Sequence, residues 1–70
     1  MLNIVIVNKS KKSLHIECYE GSQYKFFNYQ WCNTYLDLVK NFIILTGKTE
    51  SGSSIEITLP KSNTNYIEQN

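Results

Sequence analysis

His15 and Glu17 are the two side chains in this sequence that are best suited to acid–base chemistry. They are two positions apart in a segment of alternating polarity, so both would project from the same face of a strand. A histidine beside a carboxylate can act as a general base, but catalysis also requires a nucleophile, an oxyanion site and a pocket. The sequence contains no motif for such a set, and a 70-residue chain rarely encloses a useful pocket. We therefore expect a surface histidine on a polar strand face and predict that the protein is not an enzyme.

The candidate metal ligands are His15, Cys18 and Cys32. A structural zinc site uses about four cysteine or histidine ligands, usually supplied as close pairs. His15 and Cys18 are an odd number of positions apart, so they would project from opposite faces of one strand. We expect two reduced thiols and neither a metal nor a cofactor, because two cysteines do not form a disulfide framework.

Apolar and polar residues alternate in residues 14–19, and an aromatic-rich segment follows at residues 24–31. We predict that these two segments are the strands of a hairpin. A tight turn between them would place Tyr19 opposite Tyr24 and Glu17 opposite Phe26. One face of the hairpin, which we assign to the core, then carries Leu14, Ile16, Phe27, Tyr29 and Trp31. The opposite face carries His15, Glu17, Tyr19, Tyr24, Phe26 and Asn28.

The rings of Tyr19, Tyr24 and Phe26, with His15 beside them, are the predicted binding face, and three interpretations of it stay open. Another part of the chain could cover the rings as a second layer of core. They could form a protein interface, where tyrosine and phenylalanine are enriched. They could also stack on the bases of single-stranded nucleic acid, as rings do in small barrels. The basic residues that could then contact phosphate are Lys9, Lys11, Lys12 and Lys25.

The overall charge argues against a dedicated nucleic-acid protein. The formal net charge is +1, and all of the basic residues are lysines. Arginine makes the usual bidentate contacts to guanine, so its absence disfavours sequence-specific reading of DNA.

No apolar run approaches the length of a membrane span or of a signal peptide. We expect a cytoplasmic protein with no membrane partner, of the kind that phages and other mobile elements encode.

Three further segments complete the predicted sheet. Residues 2–7 are apolar on both strand faces, which predicts a central strand or an interface for a homo-oligomer. Residues 42–49 and 54–59 are predicted to form a hairpin, with Gly52 in its turn. Placing Ser51 and Gly52 at the tip puts Thr46 opposite Ile57 and Ile44 opposite Leu59. Gly47, inside a strand, would mark a bulge or a close backbone approach.

Residues 34–40 are predicted to form a short helix, although a strand is the alternative. Thr34 to Asp37 resembles a capping box, and one helical face would carry Tyr35, Leu38, Val39 and Phe42. The fold class is therefore mainly β: a five-stranded antiparallel barrel or curled sheet, OB-like or SH3-like, with one short helix near residues 34–40. Residues 1–60 would form the single domain and residues 61–70 a polar C-terminal tail.

These features together predict a small, non-catalytic protein-interaction module. It would act as an inhibitor, an adaptor or a small subunit of an assembly by docking through its surface. One alternative is a small barrel that binds single-stranded nucleic acid. The other is a structural homo-oligomer that associates through residues 2–7.

Overall fold

The computed structural model describes residues 2–70, so Met1 lies outside the described part of the predicted domain. Alternating β-branched and aromatic residues form strands over most of this length, as expected for a mainly β protein. The elements are β1 (Asn3–Asn8), β2 (Ser13–Glu20), β3 (Gln23–Asp37), β4 (Phe42–Lys48), β5 (Ser54–Pro60), a 3-10 turn (Lys61–Asn63) and β6 (Thr64–Gln69).

The strands form a single curled sheet in the order β5-β4-β3-β2-β1-β6. The sheet curls into a half-barrel because β3 is 15 residues long and changes partners along its length. Its first half pairs with β2 and its second half with β4, with a bulge between Trp31 and Asn33. The prediction of a small curled β sheet is confirmed. The predicted strand count and purely antiparallel pairing are wrong, since a sixth strand pairs in parallel with β1.

The helix predicted over residues 34–40 is wrong. Residues up to Asp37 belong to β3, and the chain then turns before β4 begins at Phe42. The Asp37 carboxylate accepts hydrogen bonds from the backbone N–H groups of Val39 and Lys40 at 3.2 and 3.1 Å, which caps a turn and not a helix. Long-range pairing with β4 outweighed the local helical spacing.

The predicted polar tail is also ordered structure. After the 3-10 turn at residues 61–63, β6 pairs in parallel with β1 along the length of both strands. The Tyr66 ring packs against the core, and its hydroxyl lies 3.1 Å from Thr34 Oγ1. β1 is therefore central, as its two apolar faces predicted, and neither of its edges is free to pair with another copy.

The two hairpins test the predicted registers. In β2–β3, Tyr19 lies opposite Tyr24 and Glu17 opposite Phe26, as predicted. In β4–β5 the predicted register is wrong by one residue, because Leu45 lies opposite Ile57 and not Thr46. This register buries Leu45 on the same face as its partner, whereas a slip of one residue would turn it to the other face.

The core lies on the inner, concave face of the sheet. Six side chains are fully buried there: Val5, Val7, Leu14, Ile16, Ile43 and Leu45. Three aromatic residues of β3 that were assigned to the core, Phe27, Tyr29 and Trp31, are half-buried against this cluster. The sheet buries this one face, and the rings at alternate positions of β2 and β3 therefore project from the opposite surface.

Candidate functional site

The outer aromatic face is the group formed by His15, Glu17, Tyr19, Tyr24 and Phe26 on the sheet surface opposite the core. Register places these side chains next to one another across β2 and β3. Phe26 is 61% exposed and Tyr19 is 42% exposed, so within residues 2–70 no segment covers these rings. Intramolecular cover, one of the three interpretations of the sequence, is therefore wrong.

The rings of the outer aromatic face pack against each other in a row. The centroids of Tyr19 and Tyr24 are 4.7 Å apart, and those of Tyr24 and Phe26 are 5.2 Å apart, both with edge-to-face geometry. The His15 ring lies 6.4 Å from Phe26 at an angle of 28°. This arrangement holds the rings in one geometry before any ligand arrives.

A hydrogen-bonded network fixes the polar side chains below these rings. Glu17 accepts a hydrogen bond from the Tyr24 hydroxyl at 2.7 Å, and its second oxygen lies 2.8 Å from His15 Nε2. His15 Nδ1 lies 2.8 Å from Asn28 Oδ1, so both ring nitrogens face oxygen acceptors. That geometry fits an imidazolium ion that donates from both nitrogens.

The network changes the acidity of each member in a consistent direction. Hydrogen bonds to Asn28 and then Glu17 raise the pKa of His15 above its ordinary 6.5, against a smaller opposing effect of burial. Hydrogen bonds from Tyr24 and His15 lower the pKa of Glu17. The bond to the Glu17 carboxylate raises the pKa of Tyr24 to about 12. At neutral pH Glu17 is therefore ionised and Tyr24 is a neutral donor.

We expect the free energy of unfolding to fall as pH rises through the His15 titration. A raised folded-state pKa means that the stabilisation is fully present below pH 6.5, the ordinary value, and is lost above the folded-state pKa. Nuclear magnetic resonance titration of the His15 ring would measure that pKa, and urea unfolding across the same pH range would measure the loss. Asn28→Ala removes the hydrogen bond that raises the pKa of His15 most, so the pKa should fall back toward 6.5. A wild-type His15 pKa at or below 6.5 would contradict the network.

The predicted basic residues do not join the outer aromatic face. Lys9 pairs with Glu68 at 3.2 Å. The turn that holds Lys11 and Lys12 connects β1 to β2, roughly 20 Å from Tyr19 and roughly 10 Å from His15, the nearest member of the face, at strand spacing. The structure therefore separates the two groups of binding residues that the sequence analysis combined.

Lys25 was also grouped with the rings as a source of phosphate contacts. It lies opposite Cys18, at positions whose side chains point toward the core side of the sheet, and it pairs with Glu20 at 3.3 Å. Strand alternation alone would have separated Lys25 from Tyr24 and Phe26, since neighbouring residues point to opposite faces. Glu17 and the titrating His15 are the charge-bearing groups within the row of rings.

A second exposed apolar feature was missed by the sequence analysis. The β3–β4 turn exposes Leu38 by 74% and Val39 by 96%, close to the exposed side chains of Leu36 and Phe42. The helical interpretation hid this feature, because it placed Leu38, Val39 and Phe42 on one face of a helix. The signal available in the sequence was Asp37 followed by Asn41, residue types that favour a turn.

The candidate metal ligands and the two thiols do not come together into a site within the described residues. Among residues 2–70, no three histidine, cysteine, aspartate or glutamate side chains lie close enough to hold a metal ion. Cys18 is half-buried and Cys32 is exposed at the bulge of β3, and the two thiols are not bonded to each other.

No helix in the described part of the chain has the length and apolar character needed to cross a membrane. Comparison of the chain with protein-family models, with curated proteins and with solved structures found no match.

Proposed function

We propose that this protein is a small, non-catalytic interaction module that binds a partner protein through its outer aromatic face. It would act as an inhibitor, an adaptor or a small subunit by occupying the partner's surface. The observation that supports this most is the uncovered row of Tyr19, Tyr24 and Phe26 on the face opposite the core. Contiguous exposed apolar surface of this kind commonly marks an interaction site.

The prearranged rings support tight docking. Immobilising side chains on association costs free energy, and a side chain already held in place avoids part of that cost. Tyr24 is fixed on three sides: by Tyr19, by Phe26 and by its hydrogen bond to Glu17. Aromatic anchors surrounded by packed neighbours are typical binding hot spots.

The charge distribution favours a protein over nucleic acid as the partner. Stacking proteins combine aromatic rings with a positively charged groove that follows the phosphates. Here the carboxylate of Glu17 lies among the rings, Lys25 projects from the other side of the sheet, and the turn of Lys11 and Lys12 is at the far end of β2. The cytoplasmic location and the mobile-element origin stay predictions.

Photo-crosslinking would test this proposal directly. A benzophenone amino acid at position 26 should form, in extract of the source organism, a discrete adduct that the purified protein alone does not give, whereas the same group at Val39, on the distant β3–β4 turn, should not. Excess wild-type protein should abolish the adduct, and excess Tyr19→Ala or Tyr24→Ala protein should compete at least tenfold less well, as expected for hot-spot residues. Equal competition by all of these proteins would contradict docking through the outer aromatic face.

Phe26→Ala should leave the fold almost unchanged while it weakens partner binding. Phe26 is mostly exposed, so the free energy of unfolding should change by only about 0.5 kcal/mol. Urea unfolding measures this change, and Ile16→Ala, in the core, is the comparison that should cost about 3 kcal/mol. Equal losses for both variants would mean that the ring is a structural element.

Tight binding of a labelled single-stranded oligonucleotide that weakens steeply with salt would instead support the nucleic-acid alternative.

A further inference from the structure

The first half of β3 has a strand partner on one side only. β2 pairs with residues 23–30, but the pairing of β3 with β4 begins at Gln30 opposite Lys48. From Gln23 to Tyr29 the edge that would face β4 is therefore open. Where β4 diverges from this edge, a cleft of about 370 Å³ is lined by Asn28, Tyr29, Gln30, Lys48, Thr49 and Glu50.

The hairpin geometry identifies which backbone groups face the open edge. The two-residue turn at Gly21 and Ser22 is closed by Glu20 and Gln23, which exchange both backbone hydrogen bonds. Along β3 the backbone N–H and C=O groups therefore point toward β2 at every odd-numbered residue. Trp31 continues this pattern, because its N–H donates to Lys12 C=O at 2.8 Å. The residues whose N–H and C=O groups point to the open edge are Tyr24, Phe26 and Asn28.

This edge lacks the protection that the other edges of the sheet carry. β5 ends in Pro60 and carries Glu56, while β6 is only six residues long. The second half of β3 is interrupted by its bulge. Charges, prolines and bulges are the usual devices that prevent edge pairing. Residues 23–29 contain no proline or bulge, and their single charge, Lys25, is paired with Glu20.

We propose that this open edge pairs with the same edge of a second copy of the chain. An antiparallel pair centred on Phe26 sets Phe26 opposite its counterpart and Tyr24 opposite Asn28 of the other copy. Every outward-pointing N–H and C=O of the three residues then finds a partner, which gives about six backbone hydrogen bonds. This proposal does not rest on the function proposed above, because edge pairing leaves the outer face of each sheet open.

Self-complementarity favours a second copy over a foreign strand. The three residues whose backbone groups face the edge carry two aromatic side chains and one amide. Their two-fold pairing therefore places no like charges together. The small Gly21–Ser22 turn of each copy ends beside the cleft of the other. That cleft contains one lysine and one glutamate, Lys48 and Glu50, while the hairpin end carries Glu20 and Lys25, so net repulsion is absent. Two aligned outer aromatic faces would then form one continuous surface.

Sedimentation velocity and amide hydrogen exchange would test the proposal on the wild-type chain. We expect a reversible monomer–dimer equilibrium between about 1 µM and 1 mM. The amides of Tyr24, Phe26 and Asn28 should become protected as the dimer forms. The amides of Lys25 and Phe27 bond to β2, so they should be protected at every concentration and serve as internal controls.

Phe26→Pro and Phe26→Ala separate the backbone from the side chain. Proline removes an N–H that has no partner within the sheet, so the fold should persist while the dimer dissociation constant rises about 30-fold beyond the effect of alanine. Alanine keeps the N–H, and the alternating protection should survive in that variant at high concentration. A monomer throughout the concentration range would overturn the proposal. So would a dimer whose newly protected amides lie in β5 or β6, or a dimer that Phe26→Pro and Phe26→Ala weaken equally.

Discussion

Removal of residues 61–70 is expected to abolish cooperative unfolding of this protein. β6 pairs with β1 over its whole length, and Lys9 N–H donates to Gln69 C=O at 3.0 Å. Without β6, a strand that holds the fully buried Val5 and Val7 becomes an edge, and the packing of the Tyr66 ring is lost. A chain of this length has roughly 4–10 kcal/mol of stability, and loss of the whole β1–β6 ladder together with the half-buried Tyr66 ring removes a large share of it.

Thermal unfolding followed by circular dichroism would measure this loss. Deletion of Asn70 alone is the matched control, because that residue follows the last pair of the β1–β6 ladder and is exposed. Tyr66→Phe should cost only about 1 kcal/mol, since it keeps the ring and removes the hydroxyl that lies near Thr34 and Glu68. A cooperative transition that survives in the chain ending at Pro60 would restore the interpretation of residues 61–70 as a tail.

Gly47→Ala is expected to destabilise the protein by about 3 kcal/mol, the upper part of the usual range for overpacking. Gly47 is buried in β4, opposite Trp31, at the point where β3 changes its strand partner. A Cβ atom at this position would clash with the backbone carbonyl oxygen of Gln30. Backbone atoms held in a sheet cannot rotate away as a flexible side chain can, so relief would require part of the β3–β4 pairing to open.

Gly52→Ala is the matched glycine control. Its φ of +88° disfavours a side chain, but no atom lies within 4 Å of the added Cβ, so it should cost only about 1 kcal/mol. Urea unfolding of the two variants compares a steric clash with a purely conformational cost. Equal losses would show that the β3–β4 ladder opens easily at Gly47.

The β2–β3 hairpin shows what local patterns could predict. A polar turn with Gly21 between two alternating segments is enough to set the register, and the register is enough to place Tyr19, Tyr24 and Phe26 on one face. The close backbone approach at Gly47 was readable in the same way, as a glycine inside an apolar strand. In both cases the information is carried by residues that are near in sequence.

The wrong predictions have a different origin. Residues 34–40 have helical spacing, but β4 offers Ile43 and Ile44 as cross-strand partners, and these contacts prevail over local propensity. The β4–β5 register was assigned from the turn, whereas burial of Ile43 and Leu45 on the core side determines it.

The alternation of polar and apolar residues was sufficient to define the mainly β class, the core face of β2–β3 and the cluster of rings opposite it. Whether those rings are covered depended on which segments are left to cover them. Residues 64–69 pair with the edge of β1, about 60 positions away, and do not cover the outer face. Contacts between distant segments leave no local periodicity, so the parallel sixth strand and the open edge of β3 emerge only from the arrangement of the whole sheet.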